Sequence, residues 1–591
     1  MVKKKKNVIM ITIDAFYYEY IGAKTYKKTA TPFLDSLIKR EDVTSIENMY
    51  SEAPYTEAAL MSLLGGINTA DNGSYMKRLK NTDCVLEEFK KKGYTVFANC
   101  YQSSIYPSGA LTGINDIYYN ASFNFKNCWE YRIKYYKEKY EKNNLSLNDK
   151  KLILDILNDN FKEALEFLKC IKNKSNKIEL IYDKLDVSDV VENISFVNNE
   201  YEKYKKDSEK YLNELFELGE EHPILKLNSY GWNHKIDDRK VLNEIERRFL
   251  PFVKKVYWKN LFYNIKNNQI SSKKLLYLFK KNKKEFLNYI KVYISSIIDR
   301  DLLDRVKAST YNSVKTVASA NTSFKHFEKW ITKQNKTPFF AYLHIDDIHF
   351  REMFFTHDTK DLKLLNDEFL YAENYIKDLP NNYKGSLCYD LGVHYVDKQL
   401  EYLFSFLEKN GLLDNTDIII TADHGNSYTY QVPRENYVIN FYEENYHVPC
   451  IIYSKDKKLN INQNNYYQTK DIPATILELN NIKVPDSYKG NSMLNFNGRD
   501  YAIIEYSGSG CPNLLDRPLY LGIKTKKYKI GGEVLIKDGN YKIKEIYDLQ
   551  RDQKENINLI NSIDYNKIDN ELKLINEEIE NIKKSNQNIF N

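Results

Sequence analysis

The sequence predicts an α/β protein built around a central β-sheet, and two apolar segments carry this prediction. Residues 8–13 and 418–421 are runs of β-branched and other apolar side chains, which are typical of buried strands. An acidic residue follows each run, Asp14 after the first and Asp423 after the second. Because ligands of open α/β sheets bind beyond the carboxyl ends of the strands, these carboxylates are expected where the chemistry takes place.

Composition limits the classes of function. The chain has 591 residues, of which 42% are hydrophobic, enough for a large core and more than one domain. The 87 Lys and Arg residues nearly balance 81 Asp and Glu residues, which gives no electrostatic basis for binding nucleic acid. Seven cysteines without a CxxC pair indicate reduced thiols. Since residues 8–13 are too short for a signal peptide, we expect a cytoplasmic protein without a transmembrane segment.

The tripeptide Asp423-His424-Gly425 places a carboxylate beside an imidazole at the end of a predicted strand. These ligand types suit a divalent cation, Zn²⁺, Mn²⁺, Mg²⁺ or Ca²⁺. Alone, the tripeptide is more often a structural turn, and it points to a metal only if a second strand end adds a carboxylate and a nucleophile. Asp14 meets the first condition, because strand-end carboxylates of one sheet can converge on one ion.

Thr56 is the candidate nucleophile. It lies at the start of a helix predicted over residues 57–64, which Gly65 and Gly66 terminate. A threonine in this place is most often an N-cap residue. It can also be a nucleophile whose developing anion is stabilised by backbone N–H groups and the helix dipole.

Segments spread along the chain resemble, in the same order, the sulfatase branch of the alkaline phosphatase superfamily. They are residues 13–22, 31–35, 50–66, 338–349, 389–397, 412–416, 423–425, 442–449, 471–492 and 546–549. The resemblance implies a mixed central sheet flanked by helices, and a nucleophile at Thr56. It implies four ligands for a divalent metal: Asp14, Thr56, Asp423 and His424. It also places His349 where the family has a histidine that touches the substrate anion, the alternative being an ordinary hydrogen-bonded histidine.

The nucleophile segment departs from the sulfatase pattern. Sulfatases carry Cys or Ser in a C/S-x-P-S-R motif that is converted to formylglycine, whereas residues 56–60 are Thr-Glu-Ala-Ala-Leu. Threonine has no known route to that aldehyde hydrate. The second Asp of the opening motif is replaced by Ala15 and its arginine by Tyr17. Threonine nucleophiles occur in the related phosphoglycerol and phosphoethanolamine transferases, and the chain also resembles phosphonate monoester hydrolases. The resemblance therefore implies phosphoryl rather than sulfuryl chemistry.

Three further side chains are candidate substrate contacts. His447 replaces an arginine of the family, and it is equally consistent with a second metal ligand, an anion contact or a core residue. Arg351 and Arg434 suit phosphate, because a guanidinium group binds it through two parallel hydrogen bonds, although a solvated surface is the default for each. His344 lies within an apolar strand, where a histidine is more often a core residue with its hydrogen bonds satisfied.

The remaining segments predict the domain organisation. Residues 126–335 are rich in Lys, Glu, Leu, Tyr and Asn at helical spacing, which indicates a helical insertion. This insertion is either a cap that selects the substrate or a module that binds a partner. It divides a catalytic domain into residues 1–125 and 336–500. Residues 501–560 are predicted to form a small α+β subdomain and residues 561–591 a helical tail.

Three hypotheses about function result. The first is a metal-dependent hydrolase or transferase that cleaves or transfers a phosphoester through a covalent Thr56 intermediate, with a small-molecule, glycan or lipid-head-group substrate. The second is a sulfuric ester hydrolase. The third is an inactive relative that acts as a binding module, but a scaffold has no need to retain the metal ligands together with Thr56. The oligomeric state and the natural substrate stay open.

Overall fold

β-Sheets with helices packed on them make up the structure, which is a computed structural model. It describes residues 5–22, 30–72, 83–100, 113–119, 125–129, 133–173, 189–227, 319–334, 337–349, 387–426, 441–506, 518–553 and 557–587, with a few isolated residues between them. The strands are β1 (Asn7–Ile13), β2 (Val43–Ile46), β3 (Met49–Tyr50), β4 (Thr95–Cys100), β5 (Asp116–Tyr119), β6 (Phe339–Ile345), β7 (Thr416–Thr421), β8 (Cys450–Tyr453), β9 (Tyr467–Gln468), β10 (Tyr501–Tyr506), β11 (Leu519–Thr525), β12 (Tyr528–Val534) and β13 (Tyr541–Asp548).

The central sheet has seven strands in the order β2-β8-β7-β1-β6-β4-β5. Strand β8 is antiparallel to both of its neighbours, and the other pairs in the sheet are parallel. A mixed sheet of this kind, with helices on it, confirms the predicted α/β fold class.

Strand β1 lies between β6 and β7 at the middle of this sheet. Thr12 of β1 is in register with His344 of β6 on one side and with Thr421 of β7 on the other. Every residue of the three strands is buried, which explains their nearly continuous apolar sequences. Because they are parallel and in register, their carboxyl ends meet at one edge of the sheet.

The helices are α1 (Pro32–Leu37), α2 (Thr56–Gly65), α3 (Val85–Lys91), α4 (Phe125–Cys128), α5 (Lys134–Glu141), α6 (Leu147–Lys172), α7 (Val190–Lys206), α8 (Ser208–Leu218), α9 (Ala320–Ile331), α10 (Leu387–Lys409), α11 (Glu443–Tyr446), α12 (Asp471–Leu479) and α13 (Asp569–Ser585). Gly66 directly follows α2 and caps its C-terminus, with a φ of +66° in the left-handed region that is expected after a helix. Asp397 of α10 accepts hydrogen bonds from the backbone N–H groups of Phe33 and Leu34 at 2.8 and 2.9 Å, which caps α1.

Between β5 and β6, most of the described residues are helical. Helices α4 to α8 pack around buried aromatic side chains, among them Trp129, Phe161 and Tyr211. Most of residues 228–318 lie outside the described residues, so the cap and partner-module interpretations of residues 126–335 stay predictions. No helix in the described part of the chain combines the length and the apolar character needed to cross a membrane.

A four-stranded antiparallel sheet, β10-β11-β12-β13, and helix α13 form the C-terminal part. Buried polar contacts join this part to the segment that follows α2. The Glu505 carboxylate accepts a hydrogen bond from the Ala70 backbone N–H at 2.9 Å, and the Asn586 amide donates to the Ala70 carbonyl at 2.8 Å. Burial raises the pKa of Glu505 to about 8, and the charges of Asp71 and Glu578 add to that rise.

Replacing Glu505 by glutamine is expected to flatten the pH dependence of folding stability. Because the pKa is about 8 in the folded protein against an ordinary value of 4.5, the stability contributed by the protonated group is complete below about pH 4.5. It is lost at about 1.4 kcal/mol per pH unit as the pH rises from about 4.5, and the loss is complete once the pH has passed about 8. Glutamine keeps the acceptor for Ala70 and cannot ionise. Urea denaturation at pH 5.5 and pH 8 should therefore show that the free energy of unfolding falls less in the variant than in the natural protein.

Glu580→Gln is the matched control, since Glu580 is an exposed carboxylate on α13. It should leave the pH dependence unchanged. An equal slope in the natural protein and Glu505→Gln would show that Glu505 does not titrate in this range.

Candidate active site

Acidic and imidazole side chains from the three central strands meet at the carboxyl edge of the sheet. Asp14 follows β1 directly, Asp423 comes two residues after β7, and His344 is the penultimate residue of β6. Asp346 follows β6 as Asp14 follows β1. All four side chains are buried, with at most 4% of any residue exposed. The fold thus places a concentration of negative charge inside the protein.

Asp14 lies at the centre of this cluster. Its Oδ2 atom is 3.2 Å from the Thr56 hydroxyl and 3.3 Å from His344 Nε2, and its Oδ1 atom is 3.5 Å from His424 Nε2. The structure therefore brings together Asp14, Thr56, Asp423 and His424, the four residues that the sequence analysis assigned to the metal.

Thr56 is the first residue of α2, and Tyr55, in extended conformation, occupies the N-cap position. The Thr56 hydroxyl lies 3.2 Å from Asp14 Oδ2 and 3.4 Å from His424 Nε2. At the N-terminus of a helix, an anion that develops on or near this oxygen is stabilised by backbone N–H groups and the helix dipole.

His424 is held by its own loop. Its Nδ1 atom lies 2.7 Å from the Gly425 carbonyl oxygen, and its backbone N–H donates to Asp423 Oδ1 at 2.8 Å. Since a carbonyl only accepts, Nδ1 carries the proton in the neutral ring, and Nε2 faces Thr56 and Asp14 with its lone pair. Gly425 is required in this loop, because a Cβ there would lie 1.9 Å from the Glu444 carbonyl oxygen.

His344 is a functional candidate that the sequence analysis set aside as a core histidine. Its ring is fully buried, with Nδ1 3.0 Å from the Tyr342 hydroxyl and Nε2 3.3 Å from Asp14 Oδ2. The Oδ1 atom of Asp346 is 3.6 Å from the same Nε2. The sequence does indicate a role in the site, because His344 lies next to the end of an apolar strand. This position becomes informative only once β6 is known to adjoin β1.

The pKa values of the cluster show how strongly its charges interact. Burial alone would raise the pKa of Asp14, yet the imidazoles of His349, His344 and His424 hold it well below its usual range. Burial raises the pKa of Asp346 well above normal. Burial would lower the pKa of His344, but the carboxylates of Asp346 and Asp14 outweigh it and raise the value to about 9.

The donor atoms fit a divalent cation. One ligand atom each of Asp14, His344 and Asp423 lies within 4.8 Å of the other two. Asp14 Oδ1 and Asp423 Oδ2 are buried and accept no hydrogen bond. Buried carboxylate oxygens without a donor are costly unless a cation neutralises them.

His349 lies on the exposed side of this cluster, with its ring centroid 6.4 Å from that of His424. Its imidazole is the strongest of the charges that lower the pKa of Asp14.

The contacts of His447 are with aromatic rings, a backbone carbonyl and a glutamate. Its ring is stacked between Tyr18 and Tyr50, with centroid distances of 4.4 and 4.8 Å. Its Nε2 atom lies 2.6 Å from the Glu47 carbonyl oxygen and its Nδ1 atom 3.5 Å from Glu443 Oε1. Of the three interpretations of His447, these contacts favour a core residue. Arg351 and Arg434 lie outside the described residues.

Comparison with protein families identifies this architecture. The family model described as "Sulfatase" matches residues 6–185 and 254–482, well over half of the chain. The chain belongs to the sulfatase family. A second model, "N-sulphoglucosamine sulphohydrolase, C-terminal", matches residues 439–584 of this sulfatase-family protein. The resemblance to the sulfatase branch of the alkaline phosphatase superfamily is therefore confirmed.

Individual relatives match this sulfatase-family protein in part. An arylsulfatase of Clostridium perfringens is 27% identical over 219 residues, which is 33% of this chain and 40% of the relative. Arylsulfatase K of Bos taurus is 31% identical over 98 residues, 17% of this chain and 18% of the relative. The matches thus span less than half of the relatives' own length. The solved phosphonate monoester hydrolase of Agrobacterium radiobacter is 12% identical with a TM-score of 0.48, covering 98% of this chain and 96% of that one.

Proposed function

We propose that this protein is a metal-dependent hydrolase or transferase that cleaves a phosphoester through a covalent Thr56 intermediate. The observation that carries the proposal is the placement of the Thr56 hydroxyl, within 3.4 Å of both Asp14 and His424 at the start of α2. A hydroxyl held against a carboxylate and an imidazole, at a helix N-terminus, has the surroundings that activate an alcohol nucleophile.

The chemistry of threonine favours phosphorus over sulfur. A hydrated aldehyde has two hydroxyl groups, so one can carry the transferred group while the other expels it by elimination. Threonine has one hydroxyl and a methyl group on Cβ, and its oxidation would give a ketone. A group attached to Thr56 is therefore released only when an oxygen nucleophile attacks its central atom. Phosphate esters are released in this way by water or by an acceptor hydroxyl.

Each residue of the site has a role in the proposed reaction. Asp14, Asp423, His424 and the Thr56 oxygen would hold the divalent cation, which when bound lowers the pKa of the hydroxyl and polarises the phosphoryl oxygens. The Thr56 hydroxyl passes its proton to Asp14, to which it donates, and its oxygen bonds to phosphorus as the bond to the leaving oxygen breaks. His349 binds the non-bridging oxygens or gives a proton to the leaving oxygen. Water or an acceptor hydroxyl then attacks phosphorus and frees Thr56, giving a hydrolase or a transferase.

A panel of chromogenic esters tests this proposal. The purified protein, supplied in turn with Zn²⁺, Mn²⁺, Mg²⁺ and Ca²⁺, is given a phosphodiester, a phosphonate monoester, a phosphomonoester and an aryl sulfate. We expect a phosphorus ester to be turned over well above the aryl sulfate. Efficient turnover of the aryl sulfate by protein whose Thr56 is unmodified by mass spectrometry would overturn the proposal.

A second candidate function is sulfuric ester hydrolysis, and the family match favours it. Two of the matched relatives are arylsulfatases, and the second family model takes its name from a sulphohydrolase. Under either function we propose a small molecule, a glycan or a lipid head group as the part of the substrate that carries the ester. An inactive binding module is disfavoured, because one buried oxygen of Asp14 and one of Asp423 accept no hydrogen bond, which favours a bound cation that a scaffold does not need.

A further inference from the structure

We propose that His344 is a direct ligand of the metal, so that the centre contains two imidazoles and two carboxylates. His344 reaches the cluster from β6, on the side of Asp14 away from the Asp-His-Gly loop, and its Nε2 atom lies 3.3 Å from Asp14 Oδ2. This inference deepens the function proposed above, because it shares the premise of a metal-dependent site.

The spacing of the donor atoms supports a common cation. Donors about 2.1 Å from one cation lie about 3 to 3.5 Å from each other. His344 Nε2 is 3.3 Å from Asp14 Oδ2, and His424 Nε2 is 3.5 Å from Asp14 Oδ1 and 3.6 Å from Asp423 Oδ2. Within the described residues, Asp14, His344 and Asp423 form the group whose ligand atoms all lie within 4.8 Å of each other. His424 is not part of that group, and its Nε2 atom approaches the same two carboxylates through Asp14 Oδ1 and Asp423 Oδ2.

Burial gives a second, independent observation. Asp14 and Asp423 are 4% and 0% exposed, and each carries one oxygen, Oδ1 and Oδ2 respectively, that no hydrogen bond reaches. The opposite nitrogen of His344 is also placed as in metal-ligating histidines, since Nδ1 lies 3.0 Å from the Tyr342 hydroxyl. Such an outer contact fixes the ring and leaves Nε2 for the cation.

A second imidazole changes which metal the centre prefers. Calcium takes six to eight oxygen ligands, and magnesium keeps several waters, so neither suits two nitrogen donors. Two imidazoles with two carboxylates suit Zn²⁺ or Mn²⁺. With His344 as a ligand, we therefore expect the centre to prefer Zn²⁺ or Mn²⁺ over Ca²⁺ and Mg²⁺.

The alternative role for His344 is a hydrogen bond to Asp14, and the two roles predict different numbers of coordinated imidazoles. Electron spin-echo spectroscopy of the Mn²⁺-loaded protein, labelled with ¹⁵N-histidine, counts them. We expect two in the natural protein and one each in His344→Gln and His424→Gln. Glutamine can still donate to Asp14, so a hydrogen-bonding role would survive the substitution.

His394→Gln is the matched control, because His394 is a largely buried histidine on α10 whose Nδ1 atom lies 3.2 Å from the Ala30 carbonyl oxygen. It should keep two coordinated imidazoles and the natural affinity for Mn²⁺. Loss of a residue that only contacts a metal ligand typically lowers metal affinity by roughly 10- to 100-fold. By titration calorimetry, we expect His344→Gln to lower the affinity for Mn²⁺ by more than this. Thermal melting of each variant in the absence of metal shows whether it is folded.

The outcomes separate this inference from the proposed function. One coordinated imidazole in the natural protein, retained in His344→Gln, overturns the inference even if phosphoesters are turned over. Two imidazoles without phosphoester turnover leave the inference standing and remove the proposed function. If the natural protein binds neither Mn²⁺ nor Zn²⁺, both the inference and the proposed function are overturned.

Discussion

Thr56→Ala is expected to abolish ester turnover while the metal stays bound. Without the hydroxyl no covalent intermediate forms, and loss of a nucleophile of this type lowers kcat by about 10⁴-fold or more. The substitution leaves Asp14, Asp423 and His424 in place, and alanine is favourable within a helix, so α2 should be preserved. Steady-state kinetics on the best ester of the panel, together with metal analysis of both proteins, measures the effect.

Thr56→Ser is the matched variant, since it keeps the hydroxyl and loses only the methyl group. It should retain part of the activity. Acid quenching during turnover, followed by mass spectrometry, should find a phosphate ester on residue 56 in the natural protein and in Thr56→Ser, and none in Thr56→Ala. Turnover by Thr56→Ala within tenfold of the natural rate would mean that water attacks the substrate directly and that the hydroxyl only binds the metal.

The placement of Asp14 and Asp423 was accessible from the sequence because it follows from strand geometry. Both residues come after apolar strands, and the carboxyl ends of parallel strands meet at one edge. The strand order was not accessible in this way. That β1 lies between β6 and β7 depends on contacts across more than 300 residues of sequence, which a local pattern does not encode.

Two histidines show the same limit. His344 has the surroundings of a core residue along its own strand, and its approach to Asp14 depends on the neighbour β1. His447 came under consideration through the family pattern, yet its ring is stacked between Tyr18 and Tyr50, which come from distant parts of the chain. A side chain's chemistry is visible in the sequence, whereas the groups that it faces are set by the tertiary fold.

Asp423→Asn is expected to remove stoichiometric metal and, with it, turnover. Asp423 Oδ1 accepts hydrogen bonds from the backbone N–H groups of His424 and Ala15 at 2.8 and 3.2 Å, and an asparagine oxygen can keep both. The amide group would then replace Oδ2, which has no hydrogen-bond partner. The N–H donor at that point and the loss of one negative charge both weaken the binding of a cation.

Thermal unfolding with and without added Zn²⁺ or Mn²⁺ isolates this effect from a general loss of stability. A cation that binds only the folded state raises Tm, so the natural protein should melt higher with metal and Asp423→Asn should not respond. Asp397→Asn is the matched control, because Asp397 is also a buried carboxylate that accepts from backbone N–H groups, those of Phe33 and Leu34 in α1. It should melt lower than the natural protein, since it weakens a helix cap, and still respond to metal. If Asp423→Asn gains as much in Tm from metal as the natural protein does, Asp423 is not a ligand, and its role is to hold the His424 loop against β1.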